Sequence, residues 1–208
     1  MNGQKFRKHP GGIKSIVSTF KILFFLGIVV SAVAVVAALV ALFNNEVSMY
    51  VVTNNPNLNS ITENGFSLTN LKSIGLIHFE ARNVFEWLWL PRYNGLDFYT
   101  HLISFLITWQ LYHIFSEINM DNPFYEGILK RINLIYRFIF IGFVFITVRH
   151  FYIVYVIKNI GDGNFNLPSS VYESTPGYLS LGTWLIVYLF AHVYKKGVLL
   201  QREQDLTI

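Results

Sequence analysis

The chain has 208 residues and a formal charge of +4; 53% of its residues are hydrophobic, 17% aromatic and only 13% charged. Soluble domains carry about 25% charged residues, so this composition excludes an ordinary soluble domain and points to the membrane class. Cysteine is absent, which excludes disulfides, thiolate nucleophiles and thiolate metal sites.

Residues 1–21 carry Lys5, Arg7, Lys8, Lys14 and Lys21 without an acid, the pattern of a cytoplasmic leader before a first span. Residues 13–20 fit either a short helix on anionic lipid or a flexible basic tail. Ile22 to Phe43 follows as 22 apolar or small residues without a charge. At ~1.5 Å rise per residue that run crosses a ~30 Å hydrocarbon core, and it exceeds the ~7–15 residues of a signal-peptide apolar region. Gly27, Ser31, Ala34, Ala38 and Ala41 share one face of this helix. Such a small-residue stripe admits a second helix closely, from this chain or from another copy in a homo-oligomer.

Residues 44–96 form the longest segment outside the spans. Residues 47–53 have strand composition, the stretch around Pro56 has turn chemistry, and residues 75–82 alternate. In that alternation Leu76, His78, Glu80 and Arg82 fall on one side, with Ile77, Phe79 and Ala81 on the other. A small β-rich outer subdomain is expected, followed at 84–93 by aromatics (Trp87, Trp89, Tyr93) suited to a lipid–water boundary.

The second span is 98–116, with His101 near one end and His113 near the other. Residues 117–133 are a short polar inner loop in which Asn122-Pro123 reads as a helix start, Asn as N-cap and Pro at the first helical position. The third span, 134–157, contains Arg149, and the uncharged stretch between Arg137 and Arg149 is only 11 residues, ~17 Å as helix and too short to cross. An intramembrane arginine needs a partner; Asp97 is the expected one, with Glu86 or Glu80 as substitutes, serving either a ligand site or an ion pair between helices. Residues 158–176 form an outer loop. The fourth span, 177–194, ends at Lys195 and Lys196, and 195–208 is a polar tail.

Lys and Arg number eleven on the inner segments and four on the outer ones, so both termini are expected in the cytoplasm. The expected fold is an all-α integral membrane protein of four transmembrane helices, with a small β-containing extracytoplasmic insertion between the first two.

Two inner segments carry a family resemblance: Asn122-Pro123-Phe124 followed by Lys130-Arg131-Ile132, and the tail from Tyr194-Lys195-Lys196-Gly197 to Gln204-Asp205-Leu206-Thr207-Ile208. Together they resemble the bacterial membrane proteins catalogued as domain of unknown function 2975. The resemblance implies a multi-pass protein of the bacterial cytoplasmic membrane with a small helix-turn-helix regulator as partner, itself making no direct contact with nucleic acid. Partner-binding residues are then expected among Asn122, Pro123, Phe124, Lys130, Arg131, Glu203, Asp205 and Leu206. The same residues equally suit packing of tail on loop, with Asp205 capping backbone or pairing with Lys130 or Arg131.

No zinc-binding HExxH, GxSxG elbow or phosphate-binding GKS/GKT occurs, so no enzyme, cofactor or metal is expected. Two alternatives come from other classes. One is a haem electron carrier, with His113 and His192 at one depth and His101 and His150 at the other. The second is a small-solute transporter or immunity-type membrane protein.

Overall fold

Between Lys21 and Glu46 no residue carries a charge, and this stretch forms most of the first helix, α1 (Pro10–Leu42). The computed structural model describes residues 10–43, 46–53, 62–63, 66–69, 74–90, 98–118, 124–160, 165–167 and 177–206. Chain order then runs β1 (Glu46–Thr53), β2 (Thr62–Glu63), β3 (Phe66–Thr69), β4 (Ile74–Glu80), α2 (Val84–Trp89), α3 (Phe98–Glu117), α4 (Glu126–Ile160) and β5 (Phe165–Asn166). A 3₁₀ turn at Gly177–Leu179 leads into α5 (Leu181–Leu206).

The four long helices pack in chain order, α1 on α3, α3 on α4 and α4 on α5. Side-chain pairs show each neighbour to be antiparallel. Phe115 stacks on both Phe20 and Phe24 with ring centroids 5.2 Å apart, while farther along Tyr112 meets Phe25. Tyr99 lies against Phe145, and Phe140 and Tyr136 meet Trp184 and Tyr188. The small-residue stripe of α1 is the face that seats α3: Ala38 is buried, and a Cβ added at Gly27 would lie 3.1 Å from the Thr108 methyl. An internal helix therefore uses the face that also suited a second copy.

The strands make one sheet in the order β2-β3-β4-β1-β5. Alternation in β1 and β4 sends Val47, Met49, Val51, Ile77 and Phe79 to one face, where they are buried with Leu90 and Phe165 on Val156 and Ile157 of α4. On the opposite face Ser48 pairs across the ladder with His78, their side chains 2.9 Å apart. The sheet is not confined to the insertion between the first two spans. β5 comes from the 158–176 loop and joins β1 through Thr53↔Phe165, because a buried Phe165 completes the apolar face.

α4 starts at Glu126, where the Tyr125 carbonyl accepts the first-turn N–H groups of Ile128 and Leu129; Asn122-Pro123, read as a helix start, lies outside the described residues. Past Lys195-Lys196, expected to end the fourth span, the last helix continues to Leu206, since lysine interrupts apolarity without interrupting helicity.

The outside of this assembly is apolar. α1 exposes Val30, Val33, Val36 and Val40, α4 exposes Ile141 and Phe151, and α5 exposes Ile186, Leu189 and Val193. Among the described residues two helices are long and apolar enough to cross a membrane, Lys14–Leu42 and Glu126–Asn159. With 20 and 26 residues, α3 and α5 also have sufficient length but a more polar composition.

Gly142 of α4 is the closest meeting point of three elements, where an added Cβ would fall 2.8 Å from Leu179 and 3.1 Å from Ile103. Gly142→Leu should lower stability by about 1–3 kcal/mol through overpacking. Gly182→Ala near the start of α5, where an added Cβ would meet only the Ser180 hydroxyl at an ordinary 3.8 Å, should be neutral or stabilising. Thermal unfolding in detergent micelles reads both.

Candidate functional site

At the end of the bundle opposite the sheet, α3, α4 and α5 carry a connected polar and aromatic arrangement. Arg131 turns inward from the second turn of α4. Its Nε donates to Glu117 Oε2 at 2.9 Å, a second guanidinium nitrogen donates to Glu117 Oε1, and Nη1 donates to Gln110 Oε1 at 3.3 Å. Gln110 is buried and the ion pair is largely shielded, so this fork fixes the last turns of α3 to the first turns of α4. The hydrogen bond from Arg131, reinforced by its charge and opposed by burial, holds the Glu117 carboxyl below its ordinary value of 4.5.

On the other flank the 124–125 segment clasps α5. The Phe124 ring lies 5.4 Å from that of Tyr194 and directly over Gly197, where an added Cβ would collide with it. The Tyr125 N–H donates to the Tyr194 hydroxyl at 3.1 Å. Arg202, two turns farther along, pairs with Glu126 at the start of α4. Beneath the clasp Ile128, Ile132 and Ala191 are buried with Ile114, Val187 and Tyr194.

The geometry places several of the expected site residues. Arg131 is engaged inside the bundle by Glu117. Phe124 belongs to the clasp while keeping 40% of its surface exposed. Lys130, Glu203 and Leu206 are exposed. Asn122, Pro123 and Asp97 lie outside the described residues, as does the side chain of Asp205.

At the sheet end, Arg149 donates from Nε to the main-chain oxygen of Trp89 at 2.8 Å; Asp97, the carboxylate expected beside it, lies outside the described residues. That carbonyl closes α2, and carbonyls at a helix C-terminus attract cations. α2 is held in turn by Asn83, whose side chain accepts the Glu86 N–H at 2.8 Å, while the Glu86 carboxylate accepts the Arg82 N–H at 2.8 Å. Trp89 also packs on Phe145 and Tyr152.

The histidines are distributed among aromatic neighbours. His113 lies against Trp109 and Tyr112, His150 against Phe151 and exposed His192 against Tyr188. His101 is half-buried on α3. His113 and His192 stand on α3 and α5, which share no extensive interface because each packs on α4. Among the described residues no group of three or more metal-ligating side chains is gathered.

Sequence reasoning did not single out Gln110, Glu117 or Glu126, and it placed Tyr194 and Gly197 in the inner tail motif without a structural role. Nothing local marks the glycine as the seat of a ring 73 residues earlier in the chain.

Residues 95–208, more than half of the chain, match the family described as a protein of unknown function, DUF2975. The chain belongs to this DUF2975 family. No curated protein and no solved structure matches it. The matched region takes in the whole Arg131 fork and the Phe124 clasp, leaving α1 and most of the sheet outside.

Two outcomes test this geometry. Arg131→Leu and Glu117→Gln should each lower stability by about 1–3 kcal/mol, with the double variant no worse than the weaker single one. Because the folded Glu117 value is depressed, the pair's contribution is complete above pH 4.5 and is lost as pH falls through the folded value. Melting temperature against pH should therefore decline less steeply in the acid range for Glu117→Gln than for wild type. Separately, Gly197→Leu should expel the Phe124 ring, seen as faster limited proteolysis in the 117–133 loop.

Proposed function

We propose that this protein is a four-span integral protein of the bacterial cytoplasmic membrane that works without catalysis, as an interaction protein. In this reading both termini and the 117–133 loop face the cytoplasm, and the sheet lies on the outer side. The partner is a small helix-turn-helix regulator bound at the clasp end. The observation that carries the reading is the continuity of α4: its last turns lie beneath the sheet through Val156 and Ile157, and its first turns form the clasp through Glu126 and Ile128.

The apolar exterior supports the membrane assignment. Exposure of Val30, Val33 and Val36 to water would forgo about 25 cal/mol for each Å² that lipid covers, and the antiparallel order of α1, α3, α4 and α5 gives an even number of crossings. At the clasp end α5 exposes Leu199, Leu200 and Leu206 beside Glu203, apolar anchors with an acid suited to a basic DNA-binding protein. The Glu126–Arg202 pair that closes the clasp is more than half exposed on both sides, and such pairs contribute about 0–1 kcal/mol. A shift transmitted along α4 from the sheet can therefore open the clasp at small cost.

Crosslinking in native membranes tests the proposal. Full-length chain should capture a small DNA-binding protein, and a Leu199→Ser, Leu200→Ser, Glu203→Lys variant should lose it at equal membrane abundance. Equal recovery from both, or recovery of no DNA-binding protein, contradicts the reading.

A further inference from the structure

Three basic residues lie in the first three to four turns of α4, and they point in different directions. Arg131 turns inward to Glu117, whereas Lys130 and Arg137 are exposed. Among the described residues neither of these two has a hydrogen-bond or ion-pair partner. They stand seven residues apart, hence on one helical face and roughly 10 Å apart along the axis. Leu134 lies between them, and the same face continues outward as exposed Ile141, Val144 and Val148.

Side chains on a helix lean toward its N-terminus, and the N-terminus of α4 is at the clasp end. Both cations therefore lean toward the clasp end, Arg137 back past Leu134, away from the apolar continuation of the face, and a phosphate over Leu134 is within reach of both long, flexible side chains. An unpaired arginine surrounded by exposed leucine and isoleucine is unfavourable in hydrocarbon unless an anion meets it. A second copy of the chain does not supply one. A two-fold axis along the membrane normal would set Arg137 against Arg137 and Lys130 against Lys130, like charges at one depth.

We propose that this face binds an anionic phospholipid, its phosphate held between Lys130 and Arg137 and an acyl chain lying along Ile141, Val144 and Val148. The site rests on the four-span reading, which puts its cations at the headgroup layer of the cytoplasmic leaflet. It would tie the clasp end to the surrounding leaflet through the helix that carries Arg131, so lipid charge would act on the same turns that hold Glu117 and Glu126.

The test is retention of lipid by the purified full-length protein in nanodiscs of phosphatidylglycerol or phosphatidylcholine, read by native mass spectrometry after transfer to detergent. Wild type should retain phosphatidylglycerol preferentially. Lys130→Gln with Arg137→Gln should lose that preference, by about fivefold for each charge removed, and Lys158→Gln at the other end of α4 should keep it. Both variants change exposed side chains, and matching melting curves establish that they are folded. Equal retention of the two lipids by wild type, or an unchanged preference in the double variant, overturns the proposal. Displacement by millimolar inorganic phosphate overturns it too, by showing a soluble-anion site, as does a dimer crosslinked through Ile141. Alkaline washing of membranes separates the two levels of failure. A chain stripped by the wash removes the four-span reading and the lipid site together, whereas a chain that resists it and shows no lipid preference overturns the lipid site alone.

Discussion

α4 is one unbroken helix of 35 residues, and the rest of the molecule is built around the fact that both of its ends are fastened. At one end Val156 and Ile157 close the apolar face of the sheet; at the other Ile128 and Ile132 underlie the clasp. A straight helix of this length spans roughly 50 Å, more than a hydrocarbon core, so its two ends occupy different surroundings once its middle is in lipid. α3 and α5 are attached along its flanks, and α1 reaches the bundle through α3.

The two ends are held by different kinds of interaction. At the sheet end, burial dominates, with Arg149 giving direction by donating to the Trp89 carbonyl. At the clasp end, a shielded fork between Arg131, Glu117 and Gln110 fixes α3 to α4, while the α4–α5 side relies on a ring over a glycine and on an exposed ion pair.

How much of this was legible in the sequence follows from how local each signal is. The first helix was plain from an apolar run without charges, β1 from its strand composition, and β4 from alternation, which places the buried residues 77 and 79 on one face. The small-residue stripe at Gly27, Ser31, Ala34 and Ala38 correctly marked a packing face, though sequence left its occupant open. β5 was not legible, because two residues in a Gly- and Asn-rich loop carry no period and their pairing is decided by Phe165 reaching a distant core. Arg149 showed that it needed a partner, but the Trp89 carbonyl was not legible as one, because every backbone carbonyl looks alike in sequence. The end of α5 at Leu206 was not legible, because a basic pair marks where lipid-like composition stops and says nothing about where hydrogen bonding stops.

The absence of cysteine permits a clean measurement of the central claim, that the sheet and the clasp lie on opposite sides of a membrane. Single cysteines would replace exposed Val84 at the start of α2 and exposed Glu203 near the end of α5, and be treated with a membrane-impermeant maleimide in intact spheroplasts. The account predicts labelling of residue 84 at once and of residue 203 only after permeabilisation. Labelling of both from the same side, or of residue 203 alone from outside, would contradict it.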